Sequence, residues 1–243
     1  LGAFGGAILD DAGRVVVDSA AAERALRFMR GTIYAGGVVP PAVLTWQEEQ
    51  TRLAFESGQA VFMRNWPYAY ALLGDASQSR VAGRFAVTSM PPALGGMATA
   101  ALGGSALAIN AFSEQPDAAY ALIDYLLQPE QMLEPARDAG QYPTRPALYE
   151  TAALADALEI PVDEALAVIR RATPRPVTPV YSQLSDILQI SIHRVLTRQQ
   201  EPGPALRDAA LAMRALLAAI RKHDITLLCP NGFDCTLDAV PAG

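Results

Sequence analysis

The sequence predicts a helix-rich α/β fold, and three observations lead to that prediction. Half of the 243 residues are apolar, which is enough to build a real hydrophobic core. Apolar residues recur at helical spacing over long stretches, most clearly in 181–198 and 204–222. Short runs rich in valine and phenylalanine, at 15–17, 60–65 and 85–90, alternate with helical stretches, an order typical of α/β proteins.

Charge and composition exclude several function classes. The net charge of −6 and the pI near 5 argue against a nucleic-acid-binding protein, which needs a basic surface for phosphate contacts. Charged residues make up 18% of the chain, a composition that favours a compact protein over a disordered one. The uncharged run 87–113 is broken by Pro91, Pro92 and four glycines, so it is not expected to span a membrane as a helix.

The first element is predicted to be a hairpin followed by a helix. Asp11 to Gly13 has the composition of a tight turn, and the valine run after it indicates a short strand. Ser19 then provides an N-cap for a helix, whose apolar positions we expect to be Ala22, Ala25, Leu26, Met29 and Ile33. The pair Gly36-Gly37 is expected to end that helix.

A second helix is predicted to begin at Thr45. Its hydroxyl can accept from the Glu48 N–H while the Glu48 carboxylate reaches back, which is a capping box. A helix of about three turns should follow, with Leu53 buried. Gly58 is then expected to adopt the left-handed conformation that ends a helix.

The strand predicted over 60–65 ends at Trp66-Pro67-Tyr68. Proline cannot donate to a sheet, so the strand must stop there and leave Trp66 and Tyr68 at its C-terminal end. Ligands of open α/β sheets bind at that end of their strands. These aromatic rings either stack on a sugar or a base, or pack in the core.

The middle of the chain combines a proline-rich strand end, a glycine loop and two helices. The strand 85–90 runs into Pro91-Pro92, which suits a linker between domains. Glycines in the stretch 102–109 either let a ligand approach the backbone or form a tight turn into a strand. Helices are predicted over 113–127, with Leu122 and its neighbours inward, and over 131–139, where Gly140 is expected to end the helix.

The sequence from residue 147 to residue 222 is predicted to be mostly helical. Two short helices are predicted between 147 and 172, and the segment 173–179 is too rich in proline for a helix or a central strand. Amphipathic helices are expected over 181–198 and 204–222. The inward positions of the first are Leu184, Ile187, Leu188, Ile192 and Val195.

Two cysteines, Cys229 and Cys235, flank an Asn-Gly turn that can bring them together. In an oxidising compartment we expect a disulfide between them, whereas in the cytosol they would be free thiols. A zinc site is not expected because His223 alone cannot complete four ligands, and no cofactor is predicted. No signal peptide is visible, and the start at Leu1 suggests that a preceding segment was removed or lies outside this chain.

Three motifs carry a resemblance to a known family. The pattern F-x-x-G-x-A-x-x-M-x-N-W-P-Y occupies 55–68, P-x-A-A-x-x-x-x-x-Y-L-x-x-P-E occupies 116–130, and R-P-x-T-P-V-Y-x-x-L-S occupies 175–185. Together they resemble the extracellular solute-binding proteins, family 1, of sugar ABC importers, and are most similar to the trehalose/maltose-binding branch. The resemblance extends over residues 1–222.

The resemblance implies a two-lobed α/β clamp of the type II periplasmic-binding-protein class. It assigns residues 1–88 and 146–222 to the second lobe, residues 89–145 to part of the first lobe, and residues 223–243 to a C-terminal tail. Family members are considerably longer than this chain, and the missing N-terminal half of lobe 1 would supply most of its sheet. We therefore expect a fragment or truncated product in which the helices of 89–145 expose apolar faces.

The same resemblance implies ligand contacts. Glu48 would accept from sugar hydroxyls, although the capping role explains this residue equally well, and Trp66 would stack on the sugar with Tyr68 as a weaker contact. Ser105 replaces an aromatic residue found in many relatives, a change expected to cost about 1 kcal/mol of binding energy. The full set of ligand-binding residues implied in this way is Glu48, Trp66, Tyr68, Gly103, Gly104, Ser105 and Arg175.

The function expected from the resemblance is a binding protein without enzymatic activity. It would bind a disaccharide such as trehalose or maltose in the periplasm or outside the cell, either freely diffusing or anchored by a lipid on a missing N-terminus, and deliver it to the membrane permease of an ABC importer. The alternative is a truncated helical interaction module that binds no sugar. A glycosidase is less favoured, because no carboxylate pair lies in a recognisable motif and neither His193 nor His223 has a nucleophile pattern nearby.

Overall fold

A computed structural model describes residues 1–158 and 160–222 of the chain. Within these ranges it contains nine α-helices and three short 3₁₀ helices. The α-helices are α1 (Ala20–Tyr34), α2 (Glu48–Glu56), α3 (Ala69–Gly74), α4 (Pro116–Leu126), α5 (Pro129–Ala139), α6 (Ala152–Ala157), α7 (Val162–Arg170), α8 (Tyr181–Leu196) and α9 (Pro202–Lys222). The 3₁₀ helices are Gly2–Phe4, Pro41–Thr45 and Pro146–Glu150.

The strands predicted over 60–65 and 85–90 are wrong, and the stretch 102–109, for which a turn into a strand was one of two alternatives, forms no strand. In the described ranges the only β-pairing consists of two isolated bridges, Leu9 with Val15 and Ala101 with Thr173. A strand obtains its hydrogen bonds from a neighbouring strand. Within the described residues, 60–65 and 85–90 have no such bond, and 102–109 has one, from the Leu102 N–H to the Thr173 carbonyl at 2.8 Å. Phe62, for example, is 91% exposed.

The predicted N-terminal hairpin is confirmed as a turn but extends no further than one bridge. The Asp10 N–H donates to the Arg14 carbonyl at 2.9 Å, and the Gly13 N–H donates to the Asp10 carbonyl at 2.8 Å. Gly13 has φ +69°, a left-handed conformation that glycine adopts without a steric penalty. The turn places Val15 and Val17 in the core.

Helix α1 begins and faces the core largely as predicted. The Ser19 hydroxyl accepts from the Ala22 N–H at 3.3 Å, and the helix ends at Tyr34, just before the glycine pair. Ala22, Ala25, Leu26 and Ile33 are buried. The expectation for Met29 is wrong: this side chain lies at the edge of the apolar stripe and is 43% exposed.

Replacing Ser19 by alanine is expected to lower the free energy of unfolding by about 1 kcal/mol, because an amide at the helix start loses its acceptor. Urea denaturation followed by circular dichroism measures this change. Ser182→Ala, at an exposed position of α8, is the matched control and should stay within about 0.5 kcal/mol of the parent protein. Equal stability of the two variants would contradict the capping role.

Helices α1, α8 and α9 enclose the larger core cluster, and the sequence predicted both of the last two helices. The fully buried members include Met213, Val195 and Val17. Polar contacts tie the helices together at one end, where the Tyr34 hydroxyl donates to the Leu196 carbonyl at 2.9 Å. The buried set of this cluster is Val15, Val17, Ala22, Leu26, Val180, Leu184, Val195, Ala205, Leu206, Ala210 and Met213.

A second core cluster joins α5, α6, α7 and the 3₁₀ helix Pro146–Glu150. Leu154 and Ala165 are fully buried in it. Gly140 ends α5 with φ +60°, as predicted, and turns the chain back towards the 3₁₀ helix. The buried set is Ala136, Leu148, Leu154, Ala157, Leu158, Ile160 and Ala165.

Helix α4 has no buried residue, although its sequence is amphipathic. Leu122, which periodicity placed inward, is 57% exposed, and Tyr120 and Tyr125 are also exposed. The expectation that helices of 89–145 would expose apolar faces is confirmed for α4. In the described part of the chain, no helix has the length and apolar character needed to cross a membrane.

Candidate functional site

The start of α2 differs from the prediction in a way that frees Glu48. The Thr45 hydroxyl donates to the Ala42 carbonyl at 3.1 Å, because Thr45 belongs to the preceding 3₁₀ helix. The N-cap is Gln47, whose backbone N–H donates to Oε1 of Gln50 at 3.0 Å. The predicted capping box at Thr45 and Glu48 is therefore wrong, and the Glu48 carboxylate is available for other contacts.

Two further expectations for α2 have different outcomes. The helix spans Glu48–Glu56, and Leu53 is 51% exposed, so its predicted burial is wrong. The buried side of the helix is instead the one that carries Glu56. Gly58 follows with φ +76°, and its predicted left-handed conformation is confirmed.

Trp66 is held against the first turn of α2. Its indole Nε1–H donates to Oε1 of Glu48 at 3.4 Å, and the Asn65 amide donates to the Glu48 backbone carbonyl at 3.3 Å. The Trp66 backbone N–H donates in turn to Oδ1 of Asn65 at 2.8 Å. These bonds fix the segment 65–66 beside the helix start, with the Trp66 side chain still accessible to solvent.

Gly103 lies against the Trp66 ring. A Cβ atom built on this glycine would come within 2.5 Å of both Cη2 and Cζ3 of the indole, which is closer than any side chain tolerates. The absence of a side chain at Gly103 therefore allows the backbone to cover part of the ring. The structure thus brings together three of the predicted site residues: Glu48, Trp66 and Gly103.

Tyr68 is attached to the same helix through a different carboxylate. Its hydroxyl donates to Oε1 of Glu49 at 2.7 Å. Arg52 also contacts Glu49, with Nη2 at 2.9 Å from Oε2, and pairs with Glu56 on its other side. Tyr68 therefore lies beside Trp66 at the start of α2, with Glu49 as its direct partner.

Arg175 is linked to the site through the backbone. The Leu102 N–H donates to the Thr173 carbonyl at 2.8 Å, and the Thr173 N–H donates to the Ala100 carbonyl at 2.7 Å. This short parallel pairing joins the glycine segment to the proline-rich segment that carries Arg175. The Arg175 guanidinium lies 5.5 Å from the centre of the Tyr181 ring, a distance compatible with a cation–π contact.

Gly104 and Ser105 lie next to Gly103 and are exposed. A Cβ on Gly104 would meet no atom within 4 Å, so this glycine is not needed for packing in the way Gly103 is. Both residues follow Gly103 directly in the chain and therefore lie beside the site.

The charges at the start of α2 are set by hydrogen bonds. The pKa of the Glu48 carboxyl is lowered, first by the hydrogen bond from its own backbone N–H and then by that from the Trp66 indole. The pKa of Glu49 is also lowered, first by Arg52 and then by Tyr68. Burial raises the pKa of the Tyr68 hydroxyl, and the bond to Glu49 adds to that rise. Near neutral pH the site presents two carboxylates and a protonated phenol.

A separate small cleft, with a volume of about 10 Å³ that holds about one water molecule, lies behind the same segment. It is lined by Pro67, Tyr70, Ala71, Ala136, Arg137, Gly140, Tyr142, Leu158 and Ile160. It contains none of the predicted ligand-binding residues and is mainly apolar. We assign the candidate site to the Trp66 side because polar and aromatic groups converge there.

Sequence reasoning missed Glu49 and Arg52. Their signal is the spacing of three residues between an acidic and a basic side chain on one helix face, which predicts an ion pair but not its contact with Tyr68. The predicted cysteine pair, Cys229 and Cys235, lies outside the described residues.

Comparison with known proteins places the chain in a family. A family model described as bacterial extracellular solute-binding protein matches residues 1–162. A probable ABC transporter-binding protein of Deinococcus radiodurans is 38% identical over 206 residues, covering 84% of this chain and 48% of that protein. The chain therefore spans about half the length of this relative.

Solved structures agree with this result. T. maritima MalE3 with bound maltose has 42% sequence identity and a TM-score of 0.84, with 88% of this chain and 55% of that chain covered. The GacH receptor of Streptomyces glaucescens, solved unliganded and with acarbose, has 25% identity and a TM-score of 0.80, covering 89% of this chain and 55% of that one. The fold is part of a type II periplasmic sugar-binding protein, in a helix-rich portion. From the family match over residues 1–162 and these structural similarities, we conclude that the chain belongs to the bacterial extracellular solute-binding protein family.

Proposed function

We propose that this chain is part of the sugar-binding component of an ABC importer and that it binds a disaccharide without transforming it. The observation that carries the proposal is the arrangement of Trp66 between the Glu48 carboxylate and the Gly103 backbone. An accessible aromatic ring next to an ionised acceptor is the combination that a sugar needs, since sugars present both apolar C–H faces and hydroxyl donors.

Each group of the site has a role in this proposal. Trp66 stacks on one face of a sugar ring, and the Glu48 carboxylate accepts from a hydroxyl at the ring edge. Arg175 supplies donors in a planar fork that suits neighbouring hydroxyls. Backbone groups of Gly103 and Gly104, together with the Ser105 hydroxyl, complete the polar contacts on the second segment.

The choice of sugar class is supported by the relatives. MalE3 of T. maritima was solved with maltose and the GacH receptor with acarbose. The serine at position 105 provides no aromatic surface, which favours a short ligand such as maltose or trehalose over longer maltodextrins. Because the relatives are solute-binding proteins, we expect binding without turnover.

The same proposal includes partners and a location. A solute-binding protein of an importer works in the periplasm or outside the cell and delivers its ligand to a membrane permease. We also propose that the apolar face of α4 packs, in the complete clamp, against the portion of the fold that the relatives have and this chain does not span. The exposed Tyr120, Leu122 and Tyr125 favour such a contact.

The same exposed face favours a second candidate, a helical interaction module that binds no sugar. In that case α4 would dock a protein partner directly, and Trp66 would have no ligand. The two candidates differ in one observable, which is whether any disaccharide binds.

The experiment is isothermal titration calorimetry with maltose and trehalose. It uses this chain and a form extended upstream from its own locus to the length of the relatives. Trp66→Ala is expected to weaken binding by about tenfold or more, because an aromatic contact contributes up to about 1.5 kcal/mol beyond its buried area.

The matched control is Phe28→Ala, which removes an exposed aromatic ring from α1, a helix that carries none of the candidate site residues. It should bind as the parent protein does. Absence of disaccharide binding by both folded forms would refute the sugar-binding proposal and leave the interaction module as the better interpretation.

A further inference from the structure

An arginine with little solvent exposure organises the start of α2. The Arg52 side chain is only 13% exposed, and its Nε and Nη2 atoms lie 3.2 and 2.9 Å from Oε2 of Glu49. Its Nη1 atom contacts Glu56, which is itself buried. Arg52 thus has ionised partners on two sides and holds Glu49 by two donors at once.

Glu49 connects this ion pair to the candidate site. Its Oε2 is engaged by Arg52, and its Oε1 accepts from the Tyr68 hydroxyl at 2.7 Å. We propose that Glu49 and Arg52 are positioning residues that fix the Tyr68 hydroxyl for ligand recognition. The inference rests on the proposed function, because it assigns a role within the same site.

The direction of the hydrogen bonds determines what the site offers to a ligand. The Tyr68 proton is donated to Glu49, so the phenol oxygen presents its lone pairs outward and acts as an acceptor. The Trp66 N–H is likewise donated to Glu48, so Trp66 offers its ring and not its donor. The first turn of α2 therefore presents acceptors, which select an uncharged ligand rich in hydroxyl donors and disfavour an anionic sugar.

The Arg52–Glu49 pair differs from an ordinary ion pair on the protein surface. Arg27 and Glu23 form such a pair on α1 at 2.5 Å, and the Arg27 side chain is 56% exposed, against 13% for Arg52. Exposed pairs of this kind contribute little to stability. The Glu49 carboxylate differs because it has two partners of different kinds, and one of them is a candidate site residue.

The first test needs no ligand. The pKa of Tyr68 is measured from the absorbance of tyrosinate, as the difference between the protein and its Tyr68→Phe variant, over the pH range in which circular dichroism is unchanged. Glu49→Gln removes the negative charge beside the phenol and is expected to lower the Tyr68 pKa. Glu23→Gln, which alters the exposed pair on α1, is the matched control and should leave the Tyr68 pKa unchanged. An unchanged Tyr68 pKa in Glu49→Gln would overturn the proposal.

A second, independent variant is chosen from the charged and titratable groups around Glu49. Besides Arg52 and Tyr68, the neighbouring Glu48 and Glu56 face this cluster. Arg52→Lys keeps one positive charge but loses the fork of donors, and it avoids leaving Glu56 without a cation. We expect the Glu49 pKa, followed by NMR of the carboxyl carbon, to rise in Arg52→Lys. No rise would overturn the role of Arg52.

The second test is titration with maltose of the extended form. Glu49→Gln is expected to bind up to about tenfold more weakly than the parent, because the Tyr68 hydroxyl is no longer held in place for the hydrogen bond that it accepts from the ligand, whereas Glu23→Gln should bind equally well. Equal affinity of Glu49→Gln and the parent would overturn the role in recognition. If the parent binds no sugar, the proposed function fails and the recognition role fails with it, while the ligand-free titration still decides whether Glu49 positions Tyr68.

Discussion

Replacing Met213 by alanine is expected to lower the free energy of unfolding by about 2–5 kcal/mol. Met213 is 0% exposed and lies in the core cluster of α1, α8 and α9. Truncation removes apolar surface from the core and leaves a cavity that α8 and α9, which pack along each other, cannot collapse without moving. Urea denaturation, followed by circular dichroism at 222 nm and by fluorescence, measures the change.

Met29 provides the matched control, since it is the same residue type on a helix of the same cluster but is 43% exposed. Met29→Ala should change the free energy of unfolding by no more than about 0.5 kcal/mol. A Met213→Ala variant as stable as Met29→Ala would mean that the three helices do not form a close-packed core. The pair therefore tests whether this portion of the clamp folds as a unit.

The helices of the chain could be predicted because their hydrogen bonds are internal. An amphipathic repeat fixes both the helix and its buried face, which is why the apolar positions of α8 and the glycine that ends α5 agree with the structure. The predicted burial of Met29 and of Leu53 was wrong for the same reason. Periodicity gives the direction of an apolar stripe, whereas burial depends on what packs against its edge.

Strands could not be predicted in the same way. A run such as 60–65 has the composition of a strand, but strand formation depends on a partner elsewhere in the fold. Within the described residues no strand lies beside 60–65, so the composition of this segment reports a preference that no partner fulfils. Helix α4 illustrates the same principle for side chains, since its apolar face is evident in the sequence and exposed in the structure.

The sequence predicted which residues belong to the site, but it did not predict the contacts between them. Trp66 and Glu48 were expected to bind ligand, and the structure adds that they bond to each other, over a separation of 18 residues. The link from Tyr68 to Glu49 depends on how the segment after Gly58 turns back onto α2, which no local pattern encodes. The capping prediction failed because Pro41–Thr45 forms its own helical turn, and this displaces the N-cap to Gln47.

Replacing Gly103 by alanine is expected to displace Trp66 and to lower the free energy of unfolding by about 1–3 kcal/mol. The new Cβ would lie 2.5 Å from two atoms of the indole, so either the ring or the backbone of the glycine segment must move. Trp66 is 39% exposed, and among the described residues its side chain has one hydrogen bond, to Glu48, whereas the backbone is held through Leu102 by its pairing with Thr173. We therefore expect the ring to move.

The displacement is measured by tryptophan fluorescence in a Trp46→Phe background, where Trp66 is the remaining tryptophan. The emission maximum should shift to longer wavelength as the ring loses its cover. Maltose affinity of the extended form should fall as well, since the stacking surface is no longer in place. An emission spectrum unchanged by Gly103→Ala would contradict the contact between Gly103 and Trp66.

Gly104→Ala separates this steric effect from the general effect of adding a methyl group. Both substitutions restrict the unfolded chain equally, which by itself stabilises a protein by about 0.4–1 kcal/mol. At Gly104 the new Cβ meets no atom within 4 Å, so the variant should be as stable as the parent or slightly more stable, with an unchanged spectrum. The difference between the two neighbouring glycines therefore measures the cost of the clash with Trp66 alone. If Gly103→Ala weakens sugar binding and Gly104→Ala does not, the absence of a side chain at position 103 is what allows the Trp66 ring to lie in its binding position.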